Sequence, residues 1–384
     1  MNAPQANQIK PDPPSLLIIG PTPPPYHGVS VAIQALLDSD GIMNTFRTRH
    51  LDTADRRGIQ HVDNPDLYDV GLFLVHFFKN IWLLATHRPT IFYIPISQSR
   101  IGFLRDSFFI IPALFARCHV VIHLHGGNFS PLFAKGGAIW KAYMNAILSR
   151  VRQFIVLGET LKLNFHPWAE DSRISTVPNG IEDVSLVDSV GIRNSRENCR
   201  PLRVLFLSTL LKQKGIFDLL HAIPLVLKTV KNVHFLFAGF PGNKDIHSEA
   251  MTWIQKKKLQ DYVKFIGPVV GKDKSDFLSS GDLFVFPGLQ QEGQPIVVLE
   301  AMRAGLPVVT TDRGCLRETV IEGETGFVVP PNSSEVLASR IVTLLKDHEL
   351  RYSMSLKSRQ RFEQEYTLDR HAQRIKDAIL AALA

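Results

Sequence analysis

Phe286 closes a short apolar run, Leu283-Phe284-Val285-Phe286, and the next eighteen residues read PGLQQEGQPIVVLEAMRA (287–304). The pattern is that of a strand, a glycine-containing loop and a helix beginning near Pro295. Proline suits a first helical position because its missing N–H would find no partner there. A helix start presents unpaired backbone N–H groups and a partial positive charge, which suits a diphosphate. Gly293 lets that backbone come close to a ligand. Glu292 lies in the loop and Glu300 inside the helix, with seven residues between them. A carboxylate repels phosphate but accepts hydrogen bonds from sugar hydroxyls, often two at once. One diphosphate at the helix end, with a carboxylate for each flanking sugar, describes a nucleotide-sugar site. On spacing alone, a loop glutamate and a helix-face glutamate on an ordinary surface read equally well.

Working outward, the same unit repeats on both sides. Short β-rich runs ending in glycine or proline occur at 16–20, 91–95, 120–124, 154–158 and 174–178. A second series lies at 204–207, 233–239, 263–267, 283–287 and 307–309. Helical stretches separate them, and near-continuous apolar strands alternating with helices mean parallel sheets covered on both faces. The stretch 182–200 is polar and without strong periodicity, and reads as a linker. Two doubly wound α/β domains follow, 1–185 and 201–366. A last helix over 367–384 has no strand after it and is free to pack back on the first domain. In such sheets ligands bind at the carboxyl ends of the strands, so two facing domains share one cleft.

The 384 residues are 45% hydrophobic and 21% charged, which is a globular composition and excludes wholesale disorder. The net charge of +7 asks for an anionic partner. Counted by halves, residues 1–185 carry 16 Lys and Arg against 14 Asp and Glu, and residues 186–384 carry 27 against 22. The excess reads as diffuse, too thin for dedicated nucleic-acid binding. The densest run, Lys256-Lys257-Lys258, reads as a solvated helix face. Three cysteines without metal-ligand spacing suit a reducing cytoplasm. The first fifteen residues lack a basic start and an apolar stretch, so no signal peptide is expected. Two segments, 70–85 (VGLFLVHFFKNIWLLA) and 101–116 (IGFLRDSFFIIPALFA), are strongly apolar but broken by charge. Buried core helices are the first reading, a face touching lipid or a lipid-linked substrate the second.

Residues 292–308 resemble the retaining glycosyltransferases of family 4, which have the two-domain GT-B fold. The marks are Glu292, seven residues, Glu300-Ala301-Met302, then Gly305-Leu306-Pro307-Val308. Glu318, Gly323 and Thr325-Gly326-Phe327-Val328-Val329-Pro330 continue the likeness. The resemblance implies that Glu292 binds donor-sugar hydroxyls and Glu300 the ribose, and that the backbone of Gly293, Gln294, Pro295 and Ile296 holds the phosphates. Lys214-Gly215 matches the family's Lys-Gly, which implies a phosphate contact for Lys214. The family's preceding arginine is replaced by Thr209, which can donate a hydrogen bond but no charge, and Lys212 is close enough to substitute. Gly288 stands where a serine is usual. Gly20-Pro21-Thr22-Pro23-Pro24-Pro25-Tyr26-His27-Gly28 resembles the glycine loop that faces donor phosphate and acceptor, which implicates Gly28 on the donor and Tyr26 and His27 on the acceptor side. His125-Gly126-Gly127-Asn128 resembles the loop whose histidine lies near the donor sugar. His123 and His125 share a side of the strand by alternation. His125, at the carboxyl end beside the glycines, is the catalytic candidate, and Asn128 falls on the acceptor side. Val269, in Ile266-Gly267-Pro268-Val269, is implied at the base. Arg105 either meets a phosphate of a lipid-linked acceptor or pairs with Asp106.

No phosphate-binding P-loop, His-Glu-x-x-His pair or Gly-x-Ser-x-Gly elbow is present. The resemblance implies metal-independent, retaining transfer of a hexose-type sugar from a nucleoside-diphosphate donor to a hydroxyl. His125, Glu292 and Lys214 would be the catalytic set, with neither metal nor further cofactor. The acceptor expected is a saccharide or lipid-linked saccharide of surface-polysaccharide assembly, met by a cytoplasmic protein peripheral to the membrane. The rival readings are a nucleotide-sugar 2-epimerase and a non-catalytic sugar-nucleotide-binding subunit.

Overall fold

The computed structural model describes residues 12–25, 28–57, 66–184, 200–242 and 244–384. Two six-stranded, wholly parallel sheets organise them. The first runs in the order β2-β1-β3-β4-β5-β6, with β1 Ser15–Gly20, β2 Arg47–Asp52, β3 Ile91–Pro95, β4 His119–Leu124, β5 Gln153–Val156 and β6 Ile174–Thr176. The second runs β12-β11-β10-β7-β8-β9. Its strands are β7 Leu202–Leu207, β8 Val233–Ala238, β9 Val263–Gly267, β10 Leu283–Phe286, β11 Val308–Thr311 and β12 Gly326–Val329. In each sheet the strand order reverses direction beside the domain's first strand, and crevices for ligands open at such a point. The sheets are the expected doubly wound α/β pair. Two strands were not apparent in the sequence. β2, RTRHLD, is an edge strand whose Arg47 and Arg49 face solvent, and β12 is only four residues long.

Period-two alternation feeds both faces of the first sheet. Leu17, Ile19, Phe92, Ile94, Val120 and Ile122 point to one layer, which holds α3 (Leu67–His87), α4 (Arg100–Phe115) and α6 (Ala138–Leu148). Leu16, Ile18, Tyr93, Val121 and Ile155 point to the other, with α1 (Gly28–Leu37) and α2 (Asp40–Thr45). A short α5, Ser130–Ala134, precedes α6.

The second domain carries α7 (Ile216–Val226), α8 (Lys244–Lys257), α9 (Gly271–Ser279), α10 (Ile296–Arg303), α11 (Leu316–Thr319), α12 (Ser334–Lys346) and α13 (His348–Glu365). The last helix, α14 (Leu368–Leu380), leaves that domain and lies on the first. Its Ile375, Ala378 and Ile379 are buried among Leu16, Ile18, Val121 and Ile155. The chain therefore crosses between domains twice. The crossings are bonded together: Ile181 N–H donates to the Tyr366 carbonyl and Leu368 N–H to the Ile181 carbonyl, each at 3.0 Å. The stretch proposed as a linker falls mostly outside the described residues.

The first reading of the two apolar segments, as buried core helices, is corrected here. α3 sits on the sheet through a narrow stripe, His76, Asn80 and Leu84, one residue per turn. Leu74, Phe78 and Trp82, two residues away from each and so on the opposite side, are exposed. α4 likewise exposes Ile101, Leu104, Phe108 and Phe115. A segment apolar all round has no periodicity to tell which side faces out. By length and composition α3 could also cross a bilayer, although Lys79 interrupts it.

Docking of α14 is a packing interaction and predicts its own cost. Ile379 is fully buried. Ile379→Ala should lower unfolding free energy by about 2–5 kcal/mol in urea titration. A loss well under about 1 kcal/mol would mean that α14 does not cover the first sheet.

Candidate functional site

The site forms where strand ends of the two sheets face each other. The β10–α10 loop supplies Glu292, and the turn after β7 supplies Lys214. Lys214 Nζ donates to Glu292 Oε1 at 2.7 Å, both side chains being mostly buried. Gln290 Nε2 reaches the same oxygen at 3.3 Å. α10 begins at Ile296, with Pro295 as its N-cap residue.

The first domain meets this loop backbone to backbone. A Cβ placed on Gly293 would lie 2.3 Å from the His125 carbonyl oxygen, and one on Gly127 would lie 2.5 Å from the Glu292 carbonyl oxygen. Only glycine allows that approach. His125 itself is half-buried, its ring 3.9 Å centroid to centroid from that of His123. His123 is fully buried, its Nδ1 2.6 Å from the Tyr93 hydroxyl, and burial holds its pKa well below the usual histidine range. Lys214, Glu292 and the His125 loop thus converge, although they lie far apart in sequence.

Other candidates fall around this centre. Glu300, on α10, is buried and ion-paired with Lys274 of α9. Val269 precedes α9 and packs against the core beneath it. Thr209 is exposed at the end of β7. Lys212 pairs with Glu249 of α8 at 2.7 Å. Gln294 turns its side chain away from the loop's open face. It accepts from the Asn179 N–H at 2.7 Å and donates to Thr319 Oγ1 at 3.1 Å, while Asn179 Nδ2 donates to the Gln294 carbonyl at 3.0 Å.

On the first domain, Gly28 opens α1. The proline loop before it is pinned by Asp52, which accepts from Thr22 N–H and Oγ1 at 3.1 and 2.9 Å, and by Arg56, which donates to the Pro23 and Pro24 carbonyls. Tyr26 and His27 lie outside the described residues. Of the two readings of Arg105, the structure has the pair. Its guanidinium donates to Asp106 Oδ1 at 2.7 and 3.0 Å and to Ser97 Oγ at 2.9 Å, and Asp106 raises its pKa. Asn128 is exposed, with its N–H donating to Gln98 Oε1 at 2.6 Å.

Several participants went unnoticed in the sequence. Lys274 and Asn179 have no motif of their own. Glu318, seen only as part of a family-like run, accepts the backbone N–H groups of Glu159 and Thr160 at 2.6 and 2.7 Å, clamping the domains together. One metal-type triplet is also present in the sequence. Asp38-Ser39-Asp40 has Asp-x-Asp spacing, but it lies at the α1–α2 turn, at the end of the sheet opposite the cleft.

Comparison with known proteins agrees with this architecture. Residues 192–361 match the family model described as glycosyl transferases group 1. A phosphatidyl-myo-inositol mannosyltransferase of Mycobacterium leprae is 33% identical over 139 residues, 36% of each chain. Spore coat protein SA of Bacillus subtilis is 32% identical over 180 residues, 45% of this chain and 47% of that one. These matched stretches thus span a third to a half of the curated relatives. Among solved structures, Anabaena Alr3699/HepE in complex with UDP superposes with a TM-score of 0.73 at 20% identity, over 94% of this chain and 98% of that one. A glycosyltransferase from Rickettsia africae also gives 0.73, at 14% identity, over 97% and 99%. The second domain thus matches the group 1 glycosyltransferase model over somewhat less than half of the chain, and the two domains together have the GT-B fold.

Proposed function

We propose that the protein is a metal-independent, retaining hexosyltransferase. It would move a hexose-type sugar from a nucleoside diphosphate to a hydroxyl of a saccharide or lipid-linked saccharide in surface-polysaccharide synthesis. The observation that carries the reading is the Lys214–Glu292 pair at the start of α10, closed over by the His125 loop of the other domain. The solved complexes of Anabaena Alr3699/HepE with UDP and with UDP-glucose support a nucleotide-sugar donor on the same fold.

In this reading the donor diphosphate lies against Lys214 and the first backbone N–H groups of α10, where a cation and a helix dipole both favour negative charge. A diphosphate carries more charge than one carboxylate, so it shares Lys214 and leaves Glu292 to accept from sugar hydroxyls. The bond from the anomeric carbon to the leaving phosphate oxygen breaks, with its electron pair departing on the diphosphate. The acceptor oxygen attacks from the same face, and its proton passes to the departing phosphate. Stabilisation of separated charge supplies most of the rate, as expected of preorganised donors in a site closed to water. Glu292 lies on the side of the developing positive charge. His125 contacts the sugar, and Glu300, which holds Lys274, accepts from the ribose.

Because Lys212 is engaged by Glu249, the charge at the phosphate end rests on Lys214, with Thr209 where a second cation is usual. A cytoplasmic site of action is part of the proposal. Cys118 and Cys315 are buried free thiols, and burial pushes the Cys118 pKa up to about 11, as suits unpaired cysteines in a reducing compartment.

Glu292→Ala should lower kcat/KM for sugar transfer by roughly 100–1000-fold, with donor-induced thermal stabilisation reduced. Full transfer activity in that variant would overturn the assignment. Thr209→Arg restores the second cation and should tighten nucleoside-diphosphate binding by roughly tenfold in calorimetric titration. Unchanged or weaker binding would mean that residue 209 does not face the phosphates.

A further inference from the structure

The outer face of α3, α4 and α6 has the opposite polarity to an ordinary surface. α3 turns two polar residues inward: His76 and Asn80 are buried, with Asn80 Nδ2 donating to the Phe109 carbonyl at 3.3 Å. Outward it presents Leu67, Val70, Leu74, Phe78 and Trp82, with Leu67 89% and Phe78 65% exposed. On α4, Ile101 is 78% and Phe115 85% exposed. α6 adds Ile139, 89% exposed. The three helices are laterally joined by aromatic contacts, Phe73 to Phe108 at 5.5 Å and Phe103 to Trp140 at 5.7 Å. The three helices therefore lie side by side, with these apolar residues on the outer side of the layer. An open apolar groove of about 650 Å³, lined by Leu104, Gly137, Ala138, Ile139, Trp140 and Tyr143, runs between α4 and α6. Contiguous exposure on this scale marks an interaction surface.

Charge identifies what covers it. Residues 67–152 contain nine Lys and Arg and only two acids, Asp69 and Asp106, a balance of +7. That is the net charge of the entire chain, so the rest sums to zero. The excess that looked diffuse when counted by halves is concentrated in the segment that carries this face. Both acids are engaged, Asp69 by Arg57 and Asp106 by Arg105. Among the described residues, Lys79, Arg88, Arg100, Arg117, Lys135 and Lys141 have no carboxylate partner. In sequence Lys79 adjoins Phe78, Arg100 adjoins Ile101 and Arg117 follows Phe115 just beyond the end of α4, while Lys141 of α6 lies over the Phe133 ring.

We propose that the α3–α4–α6 face seats the protein on an anionic lipid bilayer, apolar side chains entering the headgroup–acyl boundary and the cationic rim meeting lipid phosphates. Large apolar residues on one side, bases around them and polar atoms turned inward are what an interfacial helix layer requires. A second copy of the chain fits less well, because two such faces would bring two sets of bases without carboxylate partners together. The surface is separate from the Lys214–Glu292 site, so this inference and the proposed activity fail independently.

Flotation with vesicles of phosphatidylcholine containing roughly 30% phosphatidylglycerol tests it. The wild-type chain should float, and bind pure phosphatidylcholine roughly tenfold more weakly. The variant carrying Leu74→Ser, Phe78→Ser and Trp82→Ser should remain in the soluble fraction with an unchanged unfolding midpoint. Lys79→Glu with Lys135→Glu and Lys141→Glu should abolish the preference for anionic vesicles. Should the triple serine variant misfold, brominated lipids give an independent reading. They should quench wild-type tryptophan fluorescence and lose most of that effect when Trp82 and Trp140 are both replaced by Phe. A wild-type chain that ignores anionic vesicles, or variants that float as it does, would overturn the proposal. So would a vesicle-independent dimer dissociated by the serine substitutions, which would assign the face to a second copy.

Discussion

The approach of two backbones governs the centre of this molecule. The His125 carbonyl abuts Gly293, and the Glu292 carbonyl abuts Gly127. The loops that carry the candidate sugar-binding groups are thus each other's walls. Any side chain larger than hydrogen at 127 or 293 would separate the domains there, and with them the His125 ring and the Glu292 carboxylate. The surrounding cross-domain bonds, Asn179 with Gln294 and Glu318 with the backbone of 159 and 160, are spaced around that contact and fix its orientation. Gln294 serves the seam with its side chain while its neighbours open the helix. One short loop therefore both aligns the domains and presents Glu292.

The fold was largely legible because its signals are local. A strand, a turn residue and a helix start sit within twenty residues at 283–304, and the same grammar repeats along the chain. β2 escaped because a polar edge strand carries no apolar alternation. The seam escaped for a different reason. Glu318 and Asn179 make contacts across the domains, and nothing in the local pattern of a single glutamate or asparagine reports a partner more than a hundred positions away. Lys214, Glu292 and His125 drew attention through motif context, whereas their mutual placement could only come from the structure.

The apolar helices illustrate a limit of composition. Residues 70–85 read as core because they are apolar, yet apolarity does not say on which side the protein lies. Only the positions of His76 and Asn80, turned toward the sheet, reveal that the outward side carries the hydrocarbon. Charge behaves similarly. A balance of +2 over the first 185 residues conceals a segment of +7 offset by acids elsewhere, because halves of the chain are not faces of the molecule.

The paired crossings at Ile181 and Tyr366–Leu368 have a mechanical consequence. Two polypeptide segments held side by side by backbone hydrogen bonds resist twisting more than a single thread would. They leave one easy mode, rotation about the line that joins them. Any opening of the domains would then be a swing like that of a door on two adjacent pins rather than of a ball in a socket. Each return of the swing would bring Gly293 back to the same carbonyl, so alignment of the facing loops is inherited from the hinge and need not be found anew on every opening.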